Sequence, residues 1–392
     1  MKPDARIQSA IEILDQWLGQ QTGLDRVLTQ WARRNRFAGS GDRAAIADLV
    51  YSAVRRLRSA NWVAGGSEVP SGRTLMHGTA ILDDLPIDSL FTGLRHAPEP
   101  LTEAETSARR AFQDAPPNIS VDIPDWLEPF LADVPKLELC ALRTRAALDL
   151  RVNTVKATPD EALAALAKDD IAAHRLSTSS TALRVTTGNR KVARSDAYLT
   201  GMIEIQDAGS QALADLAEAR AGELIVDLCA GGGGKSLALA ASTGGHARLI
   251  AHDISADRLS DLPTRAQRAG AEIEIAQPNA LHQWQGQADL VFVDAPCSGS
   301  GAWRRNPDAK WRLTAQRLKE LNSVQSDLLQ QATELCKPSG RIVYGTCSLL
   351  ACENQDRVDA FLAKTGDWRV SRDFTALPSH GSDGFFGVVL TR

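Results

Sequence analysis

Two cysteines are the strongest candidates for covalent chemistry in this chain of 392 residues. Cys297 lies in the segment DAPCSGSG, and Cys347, fifty residues later, lies in the segment GTCS. Each follows a short apolar run, residues 290–293 and 342–344, that predicts a buried strand ending in turn residues. The carboxyl ends of parallel strands meet at one edge of an α/β sheet, so we expect both thiols to flank one site. Because a thiolate is a strong nucleophile, this arrangement indicates covalent catalysis.

A glycine-rich turn supports this interpretation over the simpler one, in which a free cysteine is a small buried apolar residue. The run LIVD at 224–227 predicts a strand, and CAGGGGKS at 229–236 leads into an apolar helix. A strand, a glycine turn and a helix form the entrance of many nucleotide sites. A phosphate-binding loop of an ATPase needs glycine where Cys229 stands, and this weakens the ATPase alternative, in which Asp294 would bind magnesium.

Two polar residues follow the next strands and extend the site. Asp253 lies at the end of the strand predicted from residues 249–251, where an acid can hold the hydroxyl groups of a ribose, although it also suits a helix N-cap or a turn. Asn279 follows a strand predicted at 273–275, and it suits either an adenine edge or a turn.

The elements that must position these residues alternate between strand and helix from Glu223 to the end of the chain. One predicted helix begins after Lys235, and a second ends near Ala269. A third, long helix ends at Lys337 and separates the two cysteine strands. Such alternation predicts a mostly parallel, doubly wound α/β sheet with right-handed crossovers.

The remaining sequence predicts two smaller domains. Residues 1–140 have helical periodicity, and a proline-rich break at 114–124 indicates a linker region. A small α+β insert follows, with a capping box at Thr158 opening a helix and with short predicted strands at 148–154, 183–185 and 202–205. We therefore predict domains at residues 1–140, 145–212 and 213–392.

Composition limits the class of protein. Hydrophobic residues make up 43% and charged residues 23% of the chain, and the formal net charge is −4, values typical of a soluble globular protein. The N-terminus resembles neither a signal peptide nor a transit peptide, and no apolar run has membrane-spanning length, so we expect a cytoplasmic protein without a membrane partner. Six cysteines without a C-x-x-C pair, and seven histidines without an i, i+4 pair, argue against a disulfide framework and against a metal site.

One stretch of the helical N-terminus is strongly basic. Between Arg33 and Arg58 there are seven arginines and two aspartates, beside aromatic residues. Phosphate binding by Arg33, Arg34 and Arg36 is one interpretation, and a solvated helix face is the other.

Taken together, these motifs resemble the Sun/Fmu/RsmB-type family of S-adenosyl-L-methionine-dependent RNA cytosine-5 methyltransferases. The resemblance covers about residues 151–392. The segments that carry it in the catalytic part are 227–236, 253–259, 294–301 with the basic stretch 304–311, and 344–349 with 353–354. Two further segments, 151–154 and 206–211, resemble family segments that border an RNA-binding insert. The N-terminus resembles, more weakly, a NusB-like RNA-binding domain.

The resemblance implies a Rossmann-like class I methyltransferase domain, a small RNA-recognition-like α+β insert and an all-helical N-terminal domain. It implies that Cys347 is the nucleophile, that Cys297 assists product release and that Asp294 holds the polar edge of the base. Lys235 is the candidate cation that activates a thiol, with a solvated loop lysine as the alternative. The implied cofactor contacts are Asp227, Cys229, Ala230, Gly231, Gly232, Gly233, Gly234, Lys235, Asp253, Arg258, Asn279 and Asp294.

The basic stretch after Cys297 would meet RNA phosphates through Arg304, Arg305, Lys310 and Arg312. Two departures from the family pattern are the pair Gly231-Gly232 where Ala-Pro is commoner and Asn279 where aspartate is commoner. We expect methylation of small-subunit ribosomal RNA by a monomer, with transfer RNA as an alternative substrate and an inactive ribosome-assembly factor as an alternative function. An unpaired or extruded base fits any of these RNA targets.

Overall fold

The computed structural model describes residues 1–20, 22–277 and 279–392 and divides them into two compact units. The helical unit contains residues 1–145 together with 303–313, and the sheet unit contains residues 146–302 and 314–392. Within the described residues, no helix has both the length and the apolar character needed to cross a membrane.

Helices account for most of the helical unit and alternate with strands in the sheet unit. In chain order they are α1 Pro3–Leu18, α2 Leu24–Arg34, α3 Ser40–Arg55, α4 Leu57–Val63, α5 Gly72–Leu82, α6 Ile87–Leu90, α7 Glu103–Ser107, α8 Pro117–Ser120, α9 Lys136–Ala141, α10 Pro159–Lys168, α11 Asp196–Leu199, α12 Ala208–Asp215, α13 Gly234–Ser242, α14 Leu262–Ala269, α15 Pro307–Arg312, α16 Ala315–Leu335 and α17 Gln355–Thr365.

The strands all belong to the sheet unit. They are β1 Leu148–Val152, β2 Ala172–Arg175, β3 Ala182–Thr187, β4 Ile203–Ile205, β5 Leu224–Asp227, β6 Arg248–Ala251, β7 Glu274–Ile275, β8 Ala288–Asp294, β9 Cys336–Thr346, β10 Arg369–Ala376 and β11 Phe385–Thr391.

The predicted linker at 114–124 is part of the helical unit, so that prediction is wrong. Asp122 is fully buried, and its carboxylate accepts hydrogen bonds from the backbone N–H and the hydroxyl of Ser59, each at 2.8 Å. Arg143 Nε donates to the same carboxylate at 2.7 Å. The prolines end the helices locally, but these distant partners hold the segment in the core.

The segment 303–313 also belongs to the helical unit, which nothing in its sequence pattern indicated. Asp308 accepts a hydrogen bond from the backbone N–H of Leu24, at the start of α2, at 3.0 Å. The indole N–H of Trp311 donates to the carbonyl of Val54 at 2.8 Å. Lys310 is only 2% exposed. This segment is therefore a packed part of the helical unit and not a solvated loop.

A four-stranded antiparallel sheet with the strand order β2-β3-β1-β4 forms the first part of the sheet unit. The capping box is confirmed, because the hydroxyl of Thr158 accepts from the backbone N–H of Glu161 while the Glu161 carboxylate accepts from the N–H of Thr158. Strand β2 was not predicted because it is mostly exposed and does not alternate between polar and apolar residues.

Seven strands in the described part of the chain form the larger sheet, in the order β10-β11-β9-β8-β5-β6-β7. Strands β9, β8, β5, β6 and β7 pair in parallel, as predicted, and the unpredicted strands β10 and β11 add an antiparallel edge. The long helix ends at Leu335 and not at Lys337, and Cys336 already begins β9. Pro338 disfavours helical backbone at the residue before it, which explains the earlier end.

The burial of Lys310 predicts a stability that changes with pH. Burial lowers the pKa of Lys310 from its ordinary value of 10.5 to about 8. The folded state therefore carries the full cost of this ammonium below about pH 8, and the cost disappears as the pH rises toward 10.5. Lys310→Met should raise the free energy of unfolding at pH 7 by up to about 3 kcal/mol, and the gain should vanish above pH 10.5.

Urea unfolding from pH 7 to 11 tests this, with Lys136→Met, at an exposed position of the same unit, as the control. A variant that is less stable than the wild type at pH 7 would contradict the prediction.

Candidate active site

The parallel pairing of β8 with β9 brings the two cysteines together. Asp294, the last residue of β8, lies opposite Gly345 in β9, and the backbone N–H of Ala295 donates to the Gly345 carbonyl at 2.8 Å. Beyond this pair both chains turn, and Cys297 Sγ lies 3.4 Å from Cys347 Sγ. Both side chains are partly exposed. The prediction that the two thiols flank one site is therefore confirmed.

The Cys297 thiol holds its proton firmly. The hydrogen bond with Cys347 raises the pKa of Cys297 well above its ordinary value, and burial and the charges of Cys347 and Glu353 raise it further. At neutral pH Cys297 therefore keeps its proton and can donate it to the Cys347 sulfur.

Lys235 and Asp294 form an ion pair beside the thiols. Lys235 lies in the first turn of α13, and its Nζ is 2.6 Å from Asp294 Oδ2 and 5.5 Å from the centre of the Phe385 ring. Its side chain is 12% exposed, so the alternative of a solvated loop lysine is wrong. Burial lowers the pKa of Lys235, but the hydrogen bond and charge of Asp294, with the charge of Cys347, outweigh burial and raise it overall. The ammonium is therefore a permanent cation close to Cys347.

A buried carboxylate connects the two cysteine loops. Glu353 is fully buried, and its Oε1 accepts from the backbone N–H of Ser298 at 2.8 Å and from Gln325 Nε2 at 3.2 Å. Its Oε2 accepts from the hydroxyls of both Ser298 and Ser348. Ser298 follows Cys297 and Ser348 follows Cys347, so one side chain contacts both loops. The sequence motif contains Glu353, but sequence reasoning assigned it no role.

The glycine turn has the backbone conformation that its sequence predicts. Gly231 and Gly233 have φ angles of +51° and +79°, which favour glycine, and Gly233 is the N-cap of α13. A Cβ atom on Gly233 would lie 2.2 Å from the side chain of Leu262. In contrast, a Cβ on Gly232 would lie 3.2 Å from the end of the flexible Arg265 side chain. The departure from the family pattern at Gly232 therefore concerns a position that tolerates a larger residue.

Asp253 fixes this turn from the next strand. It is 2% exposed, and its Oδ2 accepts from the backbone N–H of Gly231 at 3.0 Å and lies 3.2 Å from Arg258 Nη1. Its Oδ1 accepts from the N–H of Ser255, which is the contact expected of a turn acid, whereas the N-cap of the short helix that follows is Ser255 and not Asp253. Asp253 therefore closes its own turn and also positions the glycine loop.

Asp227, at the end of β5, is a buried acceptor below the loop. Its Oδ2 accepts from the Ser236 hydroxyl at 2.6 Å, while its Oδ1 has no hydrogen-bond partner among the described residues. Burial raises its pKa to about 7, against the opposing hydrogen bond from Ser236. An unsatisfied buried oxygen beside a glycine turn fits a site for a ligand with N–H or O–H donors.

The sequence also predicts cofactor contacts for Cys229, Ala230 and Asn279. Burial and the Asp227 charge raise the pKa of Cys229 well above its ordinary value, so this thiol is neutral. The N–H of Ala230 donates to the His252 carbonyl at 2.8 Å and anchors the loop to the chain after β6. Asn279 lies exposed in a turn, and its contact with an adenine stays a prediction.

The predicted RNA contacts divide into buried and exposed side chains, all within the helical unit. Arg304 is 4% exposed and Lys310 is 2% exposed, which argues against phosphate binding by either one. Burial inside the unit, with Lys310 Nζ 3.4 Å from the carbonyl of Arg55, is the physical reason. Phosphate contacts stay a prediction for the exposed residues Arg305, Arg312, Arg33, Arg34 and Arg36.

Fold and site together define a class of protein. A mostly parallel seven-stranded sheet in the described residues, with a glycine turn after β5 and a buried acid after β6, is the Rossmann-like fold of class I methyltransferases. Family models agree with this class: "16S rRNA methyltransferase RsmB/F" matches residues 214–384, and "Methyltr_RsmF/B-like, ferredoxin-like domain" matches residues 138–192. The matched residues are more than half of the chain, and the chain belongs to the RsmB/F family.

Individual relatives agree with the family. The ribosomal RNA small subunit methyltransferase B of Shewanella oneidensis is 38% identical over 226 residues, which are 56% of this chain and 51% of that protein. The chain spans about half the length of such curated relatives. The crystal structure of PH0851 has a TM-score of 0.75 at 21% identity and covers 100% of this chain and 99% of its own. A methyltransferase homolog protein from Pyrococcus horikoshii has a TM-score of 0.62 at 22% identity, covering 70% and 97%. These two likenesses show the fold.

The raised pKa of Cys297 predicts its reactivity. Iodoacetamide reacts with the thiolate, so Cys297 should be alkylated more slowly near neutral pH than an ordinary thiol, by about tenfold for each unit by which its pKa is raised. Cys347→Ala removes the hydrogen bond that contributes most to the raised pKa of Cys297 and should accelerate alkylation of Cys297. Peptide mass spectrometry after timed alkylation measures both rates. Alkylation of Cys297 in the wild type as fast as in Cys347→Ala would contradict the raised pKa of Cys297.

Proposed function

We propose that this protein is an S-adenosyl-L-methionine-dependent RNA (cytosine-5)-methyltransferase that acts on small-subunit ribosomal RNA. The single observation that carries the proposal is the pair of thiols 3.4 Å apart at the carboxyl ends of adjacent strands, beside the ion pair of Lys235 and Asp294. The RsmB/F family match and the name of the Shewanella relative support the reaction and the RNA target.

Carbon 5 of cytosine is too weak a nucleophile to take a methyl group directly. In the proposed reaction the Cys347 thiolate adds to carbon 6, and the electron pair of the 5,6 double bond moves to carbon 5. Carbon 5 then takes the methyl group. Loss of the carbon 5 proton and cleavage of the bond between sulfur and carbon 6 restore the double bond and release Cys347.

The neighbouring side chains each have a role in this sequence. The ammonium of Lys235 favours the thiolate of Cys347, whose charge in turn raises the pKa of Lys235. Asp294, held by Lys235 at 2.6 Å, presents a carboxylate to the polar edge of the base and favours the shift of electrons to carbon 5. Cys297 carries a proton next to Cys347, where it assists the second half of the reaction, in which the product leaves the enzyme.

The glycine turn and the acids around it form the proposed cofactor site. S-adenosyl-L-methionine, when bound, supplies the electrophilic methyl group. Asp253 would accept hydrogen bonds from the ribose hydroxyls, and the unsatisfied Oδ1 of Asp227 would accept from a polar donor of the cofactor. The N-terminus of α13 and the turn at Gly231 and Gly233 present backbone N–H groups to a carboxylate.

The substrate must offer a cytosine outside a helix, because carbon 6 is covered by neighbouring bases in a stacked duplex. Exposed arginines of the helical unit, namely Arg33, Arg34, Arg36, Arg305 and Arg312, would bind phosphates of a folded RNA.

Methyl transfer to undermethylated small ribosomal subunits and to total transfer RNA tests the proposed function. We expect labelled 5-methylcytosine in the small-subunit RNA, loss of transfer by at least about 10³-fold in Cys347→Ala, and a trapped protein–RNA adduct in Cys297→Ala. Cys140→Ala, in the helical unit, is the matched control and should retain wild-type activity.

The other results of this experiment each have a defined meaning. Label only in transfer RNA would replace ribosomal RNA with transfer RNA as the substrate. Binding of S-adenosyl-L-methionine without transfer to any RNA would replace the enzyme with an RNA-binding assembly factor.

The cofactor site generates a separate prediction. Asp253→Asn keeps an acceptor for Gly231 but removes the charge, and it should weaken binding of S-adenosyl-L-methionine by about 10- to 100-fold, as expected for a hydrogen bond to a charged group. Isothermal titration calorimetry measures the affinity. Asp257→Asn, at an exposed position four residues later, is the control. Equal affinities of the two variants would show that Asp253 does not contact the cofactor.

A further inference from the structure

We infer that Glu353 is a positioning residue, which holds the Cys297 and Cys347 loops in register by accepting hydrogen bonds from both. The inference rests on the proposed function, because it assigns a role within that reaction. Glu353 does not touch the thiols through any hydrogen bond in the described structure; it acts through the serine that follows each cysteine.

The Glu353 carboxylate has hydrogen bonds to both loops. From the Cys297 loop, Ser298 donates both its backbone N–H and its hydroxyl to the carboxylate. From the Cys347 loop, Ser348 donates its hydroxyl, and from strand β9, which leads into that loop, Tyr344 donates its hydroxyl to the backbone carbonyl of Glu353 at 2.6 Å. Glu353 is therefore hydrogen-bonded directly to both cysteine loops.

Further hydrogen bonds join the loops to each other around this carboxylate. The hydroxyl of Ser300 is 3.0 Å from that of Ser348 and accepts from the backbone N–H of Leu349 at 2.7 Å. The backbone N–H of Gly301 donates to the carbonyl of Cys347 at 3.0 Å. These bonds leave little freedom for one thiol to move without the other.

The chemistry of the acceptor explains why a carboxylate is present. Ser298 and Ser348 already accept backbone N–H groups, from Ser300 at 3.3 Å and from Leu350 at 3.0 Å, so their hydroxyl hydrogens point to Glu353. An ionised carboxylate accepts at both oxygens, whereas an amide accepts at one oxygen and places N–H donors at the other position. Glutamine is therefore a weaker substitute of the same size.

The negative charge has a second effect on the site. The titratable groups that act on Cys297 are Cys347 and Glu353, and the Cys297 thiol in turn raises the pKa of Tyr344. The charge of Glu353 adds to the larger effects of the Cys347 hydrogen bond and of burial, which raise the pKa of Cys297. Glu353 thus adds to the effects that keep the proton on Cys297, next to Cys347.

A reagent that requires two close thiols tests the inference without RNA or cofactor. Phenylarsine oxide forms two arsenic–sulfur bonds with a pair of neighbouring thiols and releases water. We expect it to bridge Cys297 and Cys347 in the wild type, which are 3.4 Å apart, and mass spectrometry identifies the bridged peptides. Glu353→Ala should slow the bridging by about tenfold or more, and Glu353→Gln should have a smaller effect.

The control separates positioning from general loss of charge or of structure. Asp356→Asn removes one negative charge at an exposed position three residues away and should leave the bridging rate unchanged. Circular dichroism and the Tm establish that each variant is folded. If Glu353→Ala does not fold, the same expectation applies to Glu353→Gln and to Ser348→Ala, which removes one of the hydroxyls that contact the carboxylate.

Methyl transfer is measured in parallel and distinguishes the inference from the proposed function. A positioning role predicts a lower kcat in Glu353→Gln with an unchanged KM for S-adenosyl-L-methionine. Wild-type bridging rates in folded Glu353→Ala and Glu353→Gln would overturn the inference even if the protein methylates RNA. Slow bridging in the variants, with no methyl transfer by the wild type, would support the positioning and reject the proposed reaction.

Discussion

The parallel register of β8 and β9 is the constraint on which the site depends. Asp294 pairs with Gly345, so the chains leave the sheet at the same level and their thiols meet at 3.4 Å. A slip of one residue would displace one loop by about 3.3 Å and reverse the direction of every side chain in that strand. Both faces of β8 and β9 are buried, with Phe292 in one core cluster and Ile342 in the other. Such a slip would exchange side chains between two closely packed cores, and packing therefore opposes it.

Electrostatics in the site depend on this geometry. Lys235 is the cation opposite the Asp294 carboxylate, and burial in the sheet unit makes their 2.6 Å contact stronger than a surface ion pair. The charges of Asp294 and Cys347 raise the pKa of this ammonium, while the contact with Cys347 raises the pKa of Cys297. The two thiols therefore have different electrostatic surroundings, although they lie side by side.

The chain that carries Cys297 continues directly into the segment 303–313 of the helical unit. Its basic residues looked like RNA contacts because local charge is readable in a sequence. Burial of Lys310 and Arg304 depends on helices more than 240 residues earlier in the chain, for example on Arg55, whose guanidinium donates to the Arg304 carbonyl. A pattern of local charges cannot distinguish a side chain that binds phosphate from a side chain that is buried by such distant partners.

Sequence alone was sufficient for the mostly parallel sheet, the glycine turn, the capping box at Thr158 and the edge at which Cys297 and Cys347 meet, because periodicity, turn residues and strand order are local or follow from general rules of chain topology. It missed the exposed strand β2, the antiparallel strands β10 and β11 and the position of segment 303–313. The contacts of Glu353 and the burial of Lys310 also emerged only after folding. These features depend on which distant groups supply a hydrogen bond or exclude water, and only the packed chain determines those neighbours.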